Sequence, residues 1–187
     1  MPRTYKPLKQ QTFSFGEYEI VPIRDEDKFK IMQWRNEQMY HLRQNEPLTE
    51  EKQEAYFKNV VAKLFEQEKP EQLLFSFLRN GECIGYGGLV HINWEEKNAE
   101  LSFIMNTKLE AEEFEKNWLT FISLIKNVAF NELNFNYIFV YAYDLRPHLY
   151  PVLEKGGFQF AKRLKNEVIL EGKPTDVVIH ILKNPRK

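Results

Sequence analysis

The sequence predicts a mixed α/β (α+β) fold, a mostly antiparallel sheet with helices on both faces. Three observations predict it. Residues 73–105 hold three apolar, strand-like runs, and the first two are separated by Asn80-Gly81, a pair typical of type I′ hairpins. Residues 114–129 then repeat apolar side chains at helical spacing. The β-rich run at 136–143 follows this helix, and a helical crossover places it parallel to the strand at 99–105.

The N-terminal third of the chain adds one strand and two helices to this prediction. Residues 1–12 are polar with two prolines and are expected to form a loose lead-in, while residues 18–23 alternate enough for a strand. Asp25 is expected to cap a helix that reaches Trp34, and Thr49 to cap a second helix. The second helix repeats apolar side chains every fourth residue, which predicts one broad buried stripe formed by Tyr56, Phe57, Val60, Val61, Leu64 and Phe65.

The C-terminal third continues with a short helix and a final set of strands. Residues 149–155 are compatible with a helix that ends at Gly156-Gly157. Three strand-like segments follow, at 158–164, 168–170 and 175–182, with a turn at Glu171-Gly172-Lys173. The predicted order of elements is therefore β-α-α-β-β-β-α-β-α-β-β.

The composition is that of one ordinary globular domain, residues 1–187, and it argues against several classes of protein. The formal net charge of −1 gives no general attraction to nucleic acid or to an anionic membrane, and Lys and Arg are interspersed with Glu. A nucleic-acid binder is therefore a distant third hypothesis. We expect no secretory signal and no membrane span, because no window approaches the roughly 18 apolar residues of a spanning helix.

The cysteine and histidine content predicts a cytoplasmic protein without a metal site. The single cysteine, Cys83, cannot form an internal disulfide, which favours a reducing compartment. The four histidines are scattered, and none pairs with Cys83 at the spacing of metal ligands. The sequence does not decide the oligomeric state, and a homodimer is left open.

Several short motifs occur in an order that resembles a known family: WRNE at 34–37, IGYGGL at 84–89, AEL at 99–101, AFNEL at 129–133 and VLEKGGF at 152–158. With the predicted elements, they resemble the GNAT superfamily of acyl-CoA-dependent N-acyltransferases. The most similar branch contains the ribosomal-protein-alanine acetyltransferases, whose final antiparallel strand pair the tail LKNEVILEGKPTDVVIHIL also resembles. The likeness spans about residues 18 to 183.

The resemblance implies an N-acyltransferase that uses acetyl-CoA and a primary amine. In such enzymes the two parallel strands, here 99–105 and 136–143, splay apart into a V-shaped gap. The pantetheine arm lies in the gap against strand backbone, which would be that of Phe103, Ile104 and Met105. The pyrophosphate lies at the N-terminus of the following helix. The amine acceptor, a protein N-terminus, an amino sugar or a small amine, attacks the thioester directly.

The resemblance also suggests catalytic residues. Glu100 matches a position that some members use as general base, although a sheet carboxylate can also face solvent or pair with a lysine. Tyr150 and Tyr143 are candidate acids that protonate the leaving thiolate, although a tyrosine in a strand often only packs. His148 follows Pro147 in a loop, where an exposed histidine without a role is the alternative.

The aromatic-rich segment from Trp34 to Tyr40, with His41 and Arg43, is expected to line the pocket for the amine acceptor. Family members use this region to shape the acceptor site. We therefore expect Trp34 and Arg43 to contact the amine substrate, with a place in the core as the alternative for Trp34.

Two departures from the family pattern concern the anion site. The pyrophosphate loop is normally glycine-rich, but residues 108–116 read KLEAEEFEK, with four glutamates that would repel phosphate unless they only stabilise the helix start. Lys108 and Lys116 are expected to reach the phosphates. Ahead of VLEKGGF the chain carries Arg146, which could bind a phosphate or form a surface ion pair, and Leu153 replaces a common tyrosine.

These departures support an alternative function. A GNAT-like fold that has lost the ability to bind CoA could act as a non-catalytic binding or interaction module. The enzyme hypothesis predicts heat in a calorimetric titration with acetyl-CoA, and the module hypothesis predicts none.

Overall fold

The fold is known from a computed structural model that describes residues 2–187. Its eight strands are β1 (Phe13–Phe15), β2 (Tyr18–Pro22), β3 (Leu73–Arg79), β4 (Glu82–Asn93), β5 (Asn98–Met105), β6 (Tyr137–Tyr143), β7 (Gln159–Leu170) and β8 (Lys173–Lys183). They form one sheet in the order β1-β2-β3-β4-β5-β6-β8-β7. Only β5 and β6 run parallel, and all other neighbours are antiparallel. The mixed, mostly antiparallel sheet predicted from the sequence is confirmed.

Five α-helical segments cover the sheet: α1 (Lys28–Glu37), α2 (Glu50–Tyr56), α3 (Ala62–Leu64), α4 (Glu110–Lys126) and α5 (Leu149–Lys155). A π-helical segment, Phe57–Val61, joins α2 to α3, and a second one, Asn127–Glu132, extends α4. Short 3-10 turns lie at Asp25–Asp27, Met39–His41 and Thr107–Leu109. No helix within residues 2–187 is long and apolar enough to cross a bilayer.

Successive residues of β4 show how the helices divide between the two faces of the sheet. The hydroxyl of Tyr86 bonds Arg35 of α1, whereas a Cβ added to Gly87 would approach Phe121 of α4. Since successive side chains of a strand point to opposite faces, α1 and α4 lie on opposite sides. On the α4 side, Phe103 of β5 stacks on Phe121 with ring centroids 4.3 Å apart. Helices on both faces are therefore confirmed.

The turns predicted from Asn and Gly are confirmed by their backbone angles. Asn80 and Gly81 both have positive φ, 51° and 80°, as a type I′ turn requires. Glu171 and Gly172 join β7 to β8 with φ of 48° and 76°. The two segments predicted at 158–164 and 168–170 form the single strand β7, because an irregularity between Leu164 and Val168 interrupts the register without ending the strand.

The prediction of a loose lead-in at residues 1–12 is wrong for residues 2–12, the part of it that the structure describes, and residue 1 lies outside the described residues. Tyr5 and Leu8 are 1% and 5% exposed, respectively. The Tyr5 hydroxyl donates to the Leu74 carbonyl (2.6 Å) and accepts from the Leu74 amide (2.9 Å), while its ring stacks on Phe65 at 4.4 Å. The Tyr5 side chain thus satisfies both backbone hydrogen-bonding groups of Leu74, near the N-terminal end of β3. The polar composition of this segment gave no sign that Tyr5 anchors it.

Two details of the predicted helices are also wrong. Asp25 does not cap a helix with its side chain, and its carboxylate binds Arg3 instead. The predicted cap at Thr49, by contrast, is confirmed, because its hydroxyl accepts a hydrogen bond from the Lys52 amide (3.2 Å). The broad apolar stripe is narrower than expected, because Tyr56 and Val60 are 37% and 39% exposed. Phe57, Val61 and Leu64 form its buried part.

Candidate functional site

The parallel strands β5 and β6 separate after a short ladder. Only three residue pairs join them, and the last is Glu100 with Phe139. Beyond this pair the two strands diverge, and residues 101–104 and 140–143 line a cavity of about 90 Å³, here called the strand gap. The remaining walls come from the segment after α1, from α4, and from the start of α5 with the loop before it. These elements contribute His41, Leu42, Arg43, Trp118, Arg146 and Leu149.

A charged cluster lies at the closed end of the strand gap. The Glu100 carboxylate is 5% exposed, and one oxygen accepts a hydrogen bond from Arg43 while the other lies 3.5 Å from Nε2 of His91. Arg43 also lies over the ring of Tyr141, 5.1 Å from its centroid. Burial raises the pKa of Glu100, and the charges of Arg43 and His91 oppose this shift. The cluster therefore holds a buried carboxylate whose ionised form is favoured by two basic neighbours.

A β-bulge brings His91 to this cluster. The β4–β5 register shifts between Val90 and Asn93, so that His91 adopts a positive φ of 48°. Bulges of this kind redirect a side chain that regular pairing would point elsewhere. His91 was not among the residues predicted from the sequence, because an apolar-polar pattern carries no signal for a bulge.

The open end of the strand gap, where β5 meets α4, contains buried polar groups. The Gln38 amide donates to the Met105 carbonyl (2.8 Å) and to the Thr107 hydroxyl (3.1 Å). The His41 imidazole lies 3.2 Å from the Gln38 side-chain oxygen. Burial and the charge of Arg146 lower the pKa of His41 to about 3, so that its ring is neutral near pH 7. Gln38 was also missed, because its partner is 67 positions away.

Arg146 lies at the same end and faces an acidic residue of α4. Its guanidinium is 3.6 Å from the Glu110 carboxylate and lies over Phe114, 5.9 Å from the ring centroid. Burial lowers the pKa of Arg146 and raises that of Glu110, while the partner charge opposes each shift. The pair therefore places a mostly buried cation beside the first turn of α4.

Most glutamates in the first turns of α4 are matched by basic side chains. Glu113 binds Arg79 at 2.6 Å and Glu115 binds Lys155. With Glu110 on Arg146, this leaves Glu112 as the one of the four that takes part in no ion pair within residues 2–187. Pairing reduces the repulsion of an anion that the uninterrupted glutamates suggested.

The predicted phosphate-binding lysines lie in different places. Lys108 is exposed in the turn between β5 and α4, where the Asn106 side chain accepts from its amide. The ammonium of Lys116 lies 5.4 Å from the ring centroid of Tyr18 in β2, and this lysine does not line the strand gap.

The two candidate acids also lie in different places. Tyr143 lines the strand gap at the C-terminal end of β6. Tyr150 does not line it; its hydroxyl donates to Asp144 at 2.5 Å and its ring stacks on His180 at 5.2 Å. Burial and the neighbouring carboxylate of Asp144 raise the pKa of Tyr150. His148 packs on Phe114, with ring centroids 4.7 Å apart.

Of the two residues predicted to contact the acceptor, Arg43 lines the strand gap and Trp34 does not. Trp34 is 4% exposed in the hydrophobic core, which agrees with the alternative stated for it. Among residues 2–187 no group of three or more His, Cys, Asp or Glu side chains could hold a metal ion.

Comparison with known proteins adds a family match and a fold match. A family model described as "Acetyltransferase (GNAT) domain" matches residues 20–179, which is most of the chain. No curated protein sequence matches this chain significantly.

Two solved structures of spermidine N-acetyltransferase from Vibrio cholerae have a similar fold. The complex with CoA and spermine has a TM-score of 0.78 at 18% identity, over 91% of this chain and 97% of that chain. A dodecameric form in an intermediate state has a TM-score of 0.74 at 18% identity, over 92% and 96% of the two chains. At this identity the likeness concerns the fold.

Proposed function

This chain belongs to the GNAT acetyltransferase family, and from that premise we propose that it transfers the acetyl group of acetyl-CoA to a primary amine. The observation that carries the proposal is the strand gap, since β5 and β6 separate after the Glu100–Phe139 pair. A fold alone does not fix function, so the proposal depends on the side chains that line this gap.

The free edge of β5 fits the pantetheine arm of acetyl-CoA. An extended chain with amide groups binds the N–H and C=O groups of an unpaired strand edge by strand addition. We assign this role to Phe103, Ile104 and Met105, which lie beyond the last ladder pair with β6. The stacking of Phe103 on Phe121 holds this edge against α4.

Glu100 is the general base in this proposal. Acetyl-CoA supplies an acetyl group activated as a thioester, and the acceptor amine must lose a proton to attack it. Burial raises the pKa of Glu100 toward the range in which a carboxylate is an effective base. The hydrogen bond from Arg43 fixes the orientation of the carboxylate and favours its ionised form.

Tyr143 is the favoured donor of a proton to the thiolate that leaves. Its side chain lines the strand gap, and a phenol can donate such a proton. Tyr150 remains a second candidate, but its hydroxyl already donates to Asp144, which would have to release it.

Three basic residues are proposed to hold the pyrophosphate. Arg146 is the strongest candidate, because it lies at the open end of the strand gap beside the first turn of α4. Lys108 precedes that turn and is exposed, so it can approach the same anion. Lys116 contributes only if its side chain leaves Tyr18. The absence of glycine from residues 108–116 makes this anion site degenerate relative to the family pattern.

The acceptor is proposed to bind near the closed end of the strand gap, with Arg43 in contact and Trp34 as core support. Its chemical class stays open among a protein N-terminus, an amino sugar and a small amine. The structures with a similar fold are named for spermidine, which makes a polyamine the first small amine to test.

The test is an acetylation assay with a panel of acceptors. The protein is incubated with acetyl-CoA and spermidine, glucosamine or a peptide that begins with alanine, and free CoA and acetylated product are measured. We expect acetylation of at least one acceptor above a control without enzyme. Loss of both products in Glu100→Gln would support the assignment of the base, and no acetylation of any amine would contradict the proposed activity.

A non-catalytic binding module is the second candidate function. The Glu110–Arg146 pair and the glycine-free turn favour it, because both occupy the start of α4 where an anion would bind. Isothermal titration separates the two functions. Heat that saturates with acetyl-CoA supports the enzyme, whereas no heat at millimolar acetyl-CoA supports the module.

A further inference from the structure

A second cavity lies between α1, α2 and β4, on the sheet face opposite α4. Its volume is about 370 Å³, which is within the range of about 300–1,000 Å³ typical of small-molecule sites. Four apolar side chains supply much of its wall: Ile23, Ile31, Leu48 and Phe57. It shares no lining residue with the strand gap. We call it the α1–α2 cavity.

One cation is directed into the α1–α2 cavity without a carboxylate partner. Arg35 donates from Nη1 to the Tyr86 hydroxyl (2.6 Å) and from Nε to the Gln44 side chain (3.0 Å). No ion pair within residues 2–187 includes Arg35, and no acidic residue lines this cavity. A guanidinium has five N–H donors, so most of them remain available to a ligand.

Arg24 provides a comparison within the same protein, because its guanidinium is paired with a carboxylate. Its Nε and Nη2 both donate to the buried carboxylate of Asp27, at 2.7 Å and 2.9 Å. Arg35 is also partly buried but has only neutral partners. Arginines that leave water usually gain such a carboxylate. The difference between Arg24 and Arg35 suggests that the guanidinium of Arg35 is available to an anionic ligand.

The polar and apolar parts of the cavity define its ligand. Besides Arg35, the lining includes Tyr56 and Lys52, and the Lys52 ammonium is paired with Glu46. Arg35 therefore supplies the positive charge without a carboxylate partner, and the arginine and the tyrosine hydroxyl supply hydrogen-bond donors. We propose that the α1–α2 cavity binds a small amphiphilic carboxylate, with its carboxylate on Arg35 and its hydrocarbon tail against Ile31, Leu48 and Phe57. This site is independent of the proposed acetyl transfer.

The test is a titration of the intact protein with hexanoate, followed by amide NMR. Hexanamide, which has the same shape and no charge, is the matched control ligand. We expect hexanoate to perturb residues of α1, α2 and Tyr86 saturably and to bind at least about tenfold more tightly than hexanamide, as a charge-assisted bond predicts. Equal affinity of the two ligands, or perturbation confined to the strand gap, would overturn the proposal.

Two variants and a control locate the binding. Arg35→Met should weaken hexanoate about tenfold and leave hexanamide unchanged. Leu48→Trp, in a loop at the cavity wall, should block both ligands even if Arg35→Met folds poorly. Lys58→Met removes the same charge from an exposed position outside the cavity and should leave hexanoate binding unchanged. A loss in Lys58→Met as large as in Arg35→Met would show a general charge effect and overturn the assignment.

Discussion

Two properties of Glu100 underlie its proposed role as the general base. Its carboxylate is almost fully buried, and it lies where β5 leaves β6. Its partners come from the loop after α1 and from the bulge in β4, so both elements orient one side chain. A group that is held this way can act as a base without large rearrangement.

Replacing Glu100 by Gln tests its role at the residue scale. The amide keeps the shape but cannot accept a proton, so we expect kcat/KM for acetyl transfer to fall by about 10²–10⁴-fold while the fold is retained. Steady-state kinetics and circular dichroism measure the two effects. Glu95→Gln, in the exposed turn between β4 and β5, is the matched control and should keep full activity. An active Glu100→Gln enzyme would exclude Glu100 as the base.

Replacing Arg43 by Gln tests the electrostatics of the same cluster. Arg43 opposes the upward shift in the pKa of Glu100, so its removal should raise that pKa further. Because the ionised carboxylate is the active form, the acidic limb of the pH profile of kcat/KM should move to higher pH. Because Arg43 is 45% exposed and solvent screens its charge, this shift should be smaller than that of a fully buried pair. Lys173→Gln should leave the profile in place, and a shift to lower pH for Arg43→Gln would contradict this account.

These residue contacts could not be derived from the sequence. Glu100 and Arg43 are 57 positions apart, and the sequence gives no measure of which loop packs on which strand. The resemblance supplied both residues as candidates but did not supply their contact. Trp34, by contrast, was ambiguous from the start, because an aromatic residue on an apolar helix face has the same pattern in a core and in a pocket.

At the scale of elements, β4 packs closely against β5, whose residues 101–104 line the strand gap. Its glycines allow β4 to lie close to the neighbouring strands. A Cβ on Gly87 would lie 2.1 Å from the Ser102 carbonyl oxygen and 2.9 Å from Cα of Phe103. The contact is with backbone of β5, so β5 itself would have to move.

Gly87→Ala should therefore destabilise the protein and disturb the strand gap. We expect a loss of about 3 kcal/mol in the free energy of unfolding, at the high end for overpacking, measured by urea denaturation. Gly172→Ala is the control: its φ of 76° costs about 1–2 kcal/mol, but a Cβ there meets no atom within 4 Å. Equal losses of stability in the two variants would show that the close approach of β4 to β5 at Gly87 does not contribute to the destabilisation.

The Glu110–Arg146 ion pair at the start of α4 is expected to affect how strongly this end of the helix binds an anion. Glu110→Gln removes a negative charge and frees Arg146 to make one charge-assisted contact with the pyrophosphate. We therefore expect acetyl-CoA to bind several-fold more tightly. Glu112→Gln removes the same charge without freeing a cation and should have a smaller effect. Isothermal titration measures both. Weaker binding in Glu110→Gln would mean that the ion pair shapes the site instead of competing with the anion.

Local patterns predicted the elements better than their boundaries. The hairpin at Asn80-Gly81 and the long helix α4 were found because a turn type and a 3.6-residue period are encoded within a few positions. The strand β1 was missed because its three residues are too few to show an alternating pattern. The anchored residues 2–12 were missed because the partner of Tyr5, Leu74, lies 69 positions away. The π-helical segment at Phe57–Val61 was not predicted either, because the spacing of apolar residues was compared only with the 3.6-residue period of an α-helix.

At the scale of the whole molecule, the sheet divides into two halves that meet at the β5–β6 ladder. Strands β1 to β5 form an antiparallel half, and β6, β8 and β7 form the other. Only three residue pairs join the halves in the sheet, while α4 and α5 pack together across one face. The parallel pairing followed from the helical crossover, but the early end of the ladder was expected only from the family resemblance.

The most direct test is hydrogen exchange of the amides at residues 101–105 with and without acetyl-CoA. We expect saturating acetyl-CoA to slow exchange in this segment of β5 and in the first turn of α4, with little change in β1 and β2. If millimolar acetyl-CoA leaves exchange at residues 101–105 unchanged, the strand gap does not bind the acetyl donor and the proposed transfer is contradicted.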